Sequence, residues 1–370
     1  MIYLDYAAHT PPDLAVLQEF LEIEKNYIAN PISNHKHGWL AKEKFAEINE
    51  ILTKLFSADE IIFTSGATEA NNLAIRGLPK TQNRHIISSC LEHPSVHAPL
   101  ATLQEQGYDV DLVDILPNGT INLQHLVQLL RNDTILLTVP WVDSELGAIQ
   151  PIAEISDILE DYPNCFFHVD AAQAVGKFPI KMTPQISTLS FSPHKFYGLV
   201  GVGVLLKRKD VVLNQQIIGG KSMSDYRGGT PTLAMAASTC TALNLATTEM
   251  LPRQNKVEKL RNIIVETFSE YPQMRINSPL DGSPYILNAS VNGVKGTDFQ
   301  EYLNNLGENG ACISVKSACS AVGTISRPVF AVSKNKKNAL SSWRLSFSHL
   351  TTIDEIIEFL SILKKFLAAW

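Results

Sequence analysis

Only five of the 370 residues are cysteine, at positions 90, 165, 240, 312 and 319, and no two form a Cys-x-x-Cys pair. Odd in number and scattered, they suit neither a disulfide framework nor a zinc ribbon, and no metal site is expected. Most are expected to be buried small hydrophobes, the default for a free thiol, and Cys165 beside Phe166 and Phe167 fits that reading. Charge is also sparse: 31 Lys and Arg against 37 Asp and Glu, interspersed, give 18% charged residues and a net −6. That balance excludes the strongly one-signed surface of a nucleic-acid or membrane binder. No apolar run approaches the roughly 20 residues a bilayer requires. Met1-Ile2-Tyr3-Leu4-Asp5 lacks the basic-then-apolar pattern of a secretion signal, so a cytoplasmic protein is expected. Low-complexity tracts and internal repeats are absent. What is present is 45% apolar residues in a chain longer than one core usually serves, hence two domains.

From about residue 60 to 210, short β-branched runs alternate with amphipathic stretches. Strands are expected at Glu60–Thr64, His85–Ser89, Val110–Val113, Thr134–Val139, Cys165–Val169, Thr188–Phe191 and Gly203–Leu206. Helices are expected at Thr68–Arg76, Ser95–Gln106, Leu123–Leu130 and Ile152–Asp161. Strands that look buried on both faces and alternate with helices predict an α/β fold, a mostly parallel central sheet covered on both sides. A helix near Thr232–Met250, a linker at Leu251-Pro252-Arg253 and a smaller α/β layer should follow. The expected division is residues 12–250 as the large domain, with 1–11 and 251–370 as the small one.

Ligands of such sheets gather at the carboxyl ends of strands. Polar clusters fall there five times: Ser65–Thr68, Glu92-His93-Pro94, Asp143-Ser144-Glu145, Asp170–Gln173 and Ser192–Lys195. Lys195 sits between apolar segments, where burying an ammonium is costly and lowers its pKa. Such an amine attacks carbonyls, as pyridoxal phosphate (PLP) requires; alternatively its head escapes to water. Ser65–Thr68, a small-residue turn opening a helix, suits either a phosphate or an ordinary N-cap. His93, restricted by Pro94, can stack on an aromatic cofactor and exchange protons. Asp170 can pair with a pyridine nitrogen, keeping it protonated, or simply cap a helix. Gln173 can donate to a ring oxygen.

Taken together, these segments resemble the class V, fold-type I PLP enzymes, most closely the cysteine desulfurases of the NifS/IscS group. The likeness runs from Leu4–Ala8 through Asn30–His35, Thr64–Asn72 (TSGATEANN), Glu92-His93-Pro94, His168–Gly176 (HVDAAQAVG) and Ser190–Gly198. It implies a fold-type I PLP-dependent transferase in which Lys195 anchors the cofactor. Ala67, Thr68, Ser192 and His194 would hold its phosphate. His93 would stack on the ring, Asp170 would meet its nitrogen, Gln173 and Ser144 would lie near its oxygen, and Ser144 would also contact the substrate. Arg227-Gly228-Gly229-Thr230 resembles the family's Arg-x-Gly-Thr, whose threonine reaches the phosphate bound in the other subunit; a homodimer is thereby implied.

Ser317-Ala318-Cys319-Ser320 resembles the desulfurase segment with the sulfur-accepting thiol, although Cys319 can also be read as capping a strand. The small and basic residues of Ala321–Lys337 are expected to form a loop. Ser342–Phe347 resembles the strand whose arginine, here Arg344, binds the substrate α-carboxylate; a surface ion pair is the plainer reading. The implied activity converts L-cysteine to L-alanine with a persulfide on Cys319, passed to an acceptor such as an iron–sulfur scaffold or a tRNA-thiolation relay. The catalytic set is Lys195, Cys319 and His93. Lys334, Lys336 and Lys337 stand near that segment either as acceptor contacts or as solvated charges. Three departures bear on this: Asp143-Ser144 for the family's Asn-Asn, the altered run Gly219–Tyr226, and His9 for threonine. They keep open another class V reaction (transamination, epimerisation or selenocysteine lysis) or a diverged PLP-binding partner protein.

Overall fold

The computed structural model describes residues 1–79, 81–220, 222–315 and 325–369. After a short strand β1 (Ile2–Tyr3), helices α1 (Leu14–Asn26) and α2 (Lys36–Phe56) lead to an alternating series. It comprises β2 (Glu60–Thr64), α3 (Ala67–Arg76), β3 (His85–Ser89), α4 (Pro94–Glu105), β4 (Asp109–Val113) and α5 (Leu123–Leu129). It continues with β5 (Thr134–Pro140), α6 (Ile152–Leu159), β6 (Phe166–Asp170), β7 (Ile186–Phe191) and β8 (Gly203–Lys207). These strands form a seven-stranded sheet in the order β2-β8-β7-β6-β5-β3-β4, parallel except for β8. The inner strands β3, β5 and β8 are buried throughout, as unbroken apolar runs in a doubly covered sheet should be, while the edge strand β4 is partly exposed.

Helices α7 (Leu233–Thr248) and α8 (Met250–Ser269) connect to a second unit. There β9 (Met274–Ile276), β10 (Ile286–Val291), α9 (Gly296–Asn305), β11 (Ala311–Cys312), α10 (Arg327–Ser333) and α11 (Lys336–Ser341) precede β12 (Ser342–Ser346) and α12 (Ile353–Ala369). Strands β12-β10-β9 make an antiparallel sheet, and β1 pairs in parallel with β11. The apolar side chains separate accordingly. One large cluster spans Val16 to Ala246; another gathers Ile2, Leu4, Val257–Phe268, Trp343 and the inner face of α12.

Three expectations need correction. Leu251-Pro252-Arg253 is no extended linker but lies in the first turn of α8, where Pro252 displaces no intrahelical hydrogen bond. Within Ala321–Lys337, Arg327–Ser333 is helical and Lys336 begins another helix, capped by the side chains of Ser326 and Asn335. Of the described cysteines, only Cys165 is buried, and Cys90, Cys240 and Cys312 are half-buried. Among the described residues, no helix is long and apolar enough to cross a membrane.

Candidate active site

Because β2, β3, β5, β6 and β7 run the same way, their carboxyl ends share one rim, and a cleft of about 270 Å³ opens there. It is lined by Ala67, Thr68, His93, Ser144, Asp170, Gln173, His194 and Lys195 from five loops, joined by Ala7, Ala8 and Arg344. Sequence-distant residues are thus brought together by topology.

The turn after β2 places Gly66 ahead of α3, and no side chain caps that helix. The N–H groups of its first turn and its positive dipole end therefore face the cleft unanswered by a cap, which suits a phosphate. Beside it, Ser192 Oγ lies 2.8 Å from both His194 Nδ1 and the Val202 carbonyl. Ser192 is wholly buried behind His194 and does not itself line the cleft. Burial holds the His194 imidazole down at about 4, helped by Lys195, His9 and Lys177. The His9 ring stacks on it, with centroids 5.8 Å apart.

Lys195 donates 2.8 Å hydrogen bonds to the Ala7 and Ala8 carbonyls, so the N-terminal segment positions the amine. Gln173 Nε2 donates to the same Ala7 carbonyl, and its Oε1 accepts from Lys177 at 2.8 Å. Lys177 is wholly enclosed; burial first, then Lys195 and Arg344, pulls it down to about 7. Asp170, at the end of β6, accepts from the Ala172 N–H at 2.9 Å and from Asn71 Nδ2 at 2.9 Å. His93 is the N-cap of α4: its Nδ1 accepts from the Ser95 N–H at 3.1 Å and lies 2.8 Å from Ser95 Oγ. Burial holds His93 below the ordinary imidazole value, Asp170 pulling it back up and Lys195 adding to the fall.

Across the cleft, Arg344 on β12 is 2% exposed. Its Nη1 donates to the Ser144 carbonyl at 2.7 Å and its Nη2 to Asp5 Oδ1 at 2.7 Å. Asp5 also accepts from Ser314, so one carboxylate joins β12 to the segment that leads towards Cys319. Next to Ser144, the fully enclosed Asp143 accepts from the N–H groups of Glu145 and Leu146. Burial, reinforced by Glu145, pushes its carboxyl up to about 7. Glu92 is equally enclosed, raised well above the carboxylate range by burial and paired with Thr138.

Thr230 stands apart from the cleft, exposed in a shallow depression with Phe45, Phe63 and Arg227. Arg227 pairs with Glu69 at 3.0 Å. Cys319, on which the sulfur chemistry turns, lies outside the described residues. Sequence reasoning missed Asn71, Lys177 and the role of Asp5. Asn71 carried a signal, being a polar residue on the otherwise apolar inner face of α3 beside Ala70, Ala74 and Ile75.

An α/β sheet with this rim, a lysine, an aspartate and a histidine facing one cleft, and an uncapped helix for an anion define a PLP-enzyme scaffold. The chain belongs to the class V aminotransferase family, whose profile matches residues 2–359, and that membership implies a PLP cofactor. Its relatives narrow the class. The cysteine desulfurase IscS of Neisseria meningitidis serogroup C is 35% identical over 366 residues, covering 96% of this chain and 89% of that protein. Among solved structures, a NifS-like protein superposes with a TM-score of 0.91 at 28% identity, with both chains covered completely. A structure described as SspA in complex with cysteine gives a TM-score of 0.81 at 29% identity, covering 95% of this chain and all of that one.

Proposed function

We propose that the protein is a PLP-dependent cysteine desulfurase that converts L-cysteine to L-alanine and collects the sulfur on Cys319. The observation that carries this reading is the convergence of Lys195, Asp170, His93 and Arg344 on one cleft beside the uncapped start of α3. This donor set fits PLP: an amine for the aldehyde, a carboxylate for the ring nitrogen, and N–H groups with His194 and Thr68 for the phosphate. When bound, the cofactor supplies an electron sink for the carbon atoms of the substrate.

The chain's own residues do the rest. Lys195 would hold the cofactor through its amine and would move protons at the substrate carbons. His93 would lie against the cofactor ring, and Arg344 presents its planar fork to the substrate α-carboxylate. Because that fork already holds Asp5, the substrate carboxylate enters beside or in place of an existing ion pair. The thiolate of Cys319 attacks the substrate sulfur. An S–S bond forms, the Cβ–S bond breaks, its electron pair stays with the carbon, and a proton completes alanine. One cysteine and one thiol thus become one alanine and one persulfide, a substrate for a sulfur acceptor protein. The two apolar clusters support dividing the chain into 12–250 and 1–11 with 251–370.

Purified protein reconstituted with PLP should show the visible band of lysine-bound cofactor, lost in Lys195→Ala. Given L-cysteine and a thiol reductant, it should release alanine and sulfide in equal amounts. Cys319→Ala should abolish release while keeping the band. A keto acid or D-cysteine as product would redirect the reading to transamination or epimerisation. Alanine release undiminished in Cys319→Ala would remove the role given to that thiol.

A further inference from the structure

Asn71 is fully buried in the middle of α3, and it does not line the cleft. Its carboxamide nonetheless bonds two residues that do, Asp170 and Ser95. Asn71 Nδ2 lies 2.9 Å from Asp170 Oδ2 and 2.8 Å from Ser95 Oγ. Asn71 Oδ1 receives the Ser190 hydroxyl and lies 3.0 Å from His168 Nε2. An ionised carboxylate only accepts, so the NH2 end must face Asp170 and the oxygen must face His168. Both N–H bonds and both lone pairs of the amide are then engaged.

The assignment propagates in two directions. His168 must carry its proton on Nε2 to donate to Asn71, which leaves Nδ1 to accept from Thr188 Oγ1 at 2.8 Å. Burial, which holds His168 at about 4, keeps that ring neutral despite the opposing pull of Asp170. Towards the cleft, Ser95 Oγ accepts from Asn71 and lies within hydrogen-bond distance of His93 Nδ1, which the Ser95 N–H, able only to donate, fixes as an acceptor. The neutral His93 ring therefore carries its proton on Nε2.

We propose that Asn71 is a positioning residue that holds, through one carboxamide, both the acceptor face of Asp170 and the Ser95 hydroxyl that supports the His93 ring. The proposal deepens the PLP reading and rests on it for its consequence, but the hydrogen-bond chain belongs to the protein itself. Asp170 keeps two donors, from Asn71 and Ala172, which fix the orientation of its carboxyl oxygens at the rim. His93 presents an N–H rather than a bare lone pair on its remaining nitrogen. As found, it can donate a hydrogen bond into the cleft but offers no lone pair there.

The test begins with cofactor-free wild-type protein labelled with 15N-histidine. Long-range 1H–15N spectra should show His93 and His168 both protonated on Nε2 and bare on Nδ1; the opposite tautomer at either ring overturns the proposal. Asn71→Ala and Asn71→Asp are then compared with wild type after PLP addition. Losing one hydrogen bond to a charged group predicts PLP affinity about 10–100-fold weaker and a displaced pH titration of the visible band. A merely structural role would lower Tm but leave the titration of the band in place. Folded variants with wild-type affinity and titration would overturn the proposal, and if neither variant folds, the tautomer of His168, which reports the orientation of the Asn71 amide, decides. Wild-type protein that binds no PLP would instead sink the enzyme reading, while the tautomers still judge the chain.

Discussion

Asp143 differs from the asparagine of the resembled motif by one charge, and the structure makes that charge consequential. One oxygen accepts from the N–H groups of Glu145 and Leu146; the other is buried with no partner among the described residues. An amide would keep the acceptor and add a donor, whereas the carboxyl must desolvate when it ionises. Its pKa rises from 3.8 to about 7 on folding, with burial the chief cause. An acid shifted upward contributes stability that is complete below its unfolded value and is lost as pH rises through its folded value. Wild type should therefore lose stability from about pH 4 to 7, by at most about 4 kcal/mol. Asp143→Asn should escape that loss, so urea unfolding at a series of pH values should show its advantage growing across this window and levelling above it. Parallel pH curves for the two proteins would contradict the assignment. Lys195, Asp170, His93 and Arg344 were legible from sequence because each stood at a strand end or on a motif strand with a chemical reason to be there. The Asn71 relay was half legible. His168 and Asp170 alternate along β6, as Thr188 and Ser190 do along β7, and the register pairs His168 with Thr188 and Asp170 with Ser190. A polar stripe at period two on a buried sheet announces a network, but only packing reveals that α3 supplies its hub.

At the scale of elements, β8 meets the turn that opens α3. A Cβ built on Gly203 would lie 2.2 Å from the carbonyl carbon of Gly66, a backbone contact that cannot rotate away. Gly203→Ala should push β8 from the turn that precedes α3, costing about 1–3 kcal/mol as an overpacked site does. PLP affinity should fall with it, because the N–H groups of α3 move as a unit. Gly220→Ala, where a Cβ meets nothing within 4 Å, is the control and should leave both Tm and affinity unchanged. Equal PLP affinity in Gly203→Ala and wild type would show that the turn tolerates the displacement. The strands were legible because β-branched runs bounded by turn residues are short and unbroken. Helices α10 and α11 were not, because six or seven residues hold too few turns for an apolar period to show. Their caps were nevertheless written in the sequence: Ser326 ahead of Arg327-Pro328, and Asn335 receiving the N–H groups of Lys337 and Asn338. The reversed direction of β8 follows from chain length, since the connection from Phe191 to Gly203 is too short for a helical crossover.

For the whole molecule, the cleft as one chain builds it lacks a residue that the resemblance assigns to it. Thr230 is exposed and outside the cleft, on a stretch that Arg227 ties to Glu69 in the first turn of α3. Large apolar side chains are also exposed, among them Ile28, Ile32, Trp39 and Leu40 around the start of α2 and Val200 and Ile218 further along. Apolar surface of this kind marks an interaction site more often than bare solvent contact. A second copy of the chain as the occupant would account for both facts and would bring Thr230 of one subunit towards the start of α3 of the other. Sedimentation equilibrium should then give a dimer for wild type. Trp39→Glu combined with Leu40→Glu should shift it towards monomer, because two charges placed in an apolar contact must be desolvated for it to re-form. PLP affinity and alanine release should fall together with the dimer fraction and recover together at higher protein concentration. Thr230→Ala should weaken PLP binding without altering the dimer fraction, separating the contact from the site it completes. A wild-type monomer with full PLP occupancy and activity would refute the shared site and leave Thr230 an ordinary surface residue.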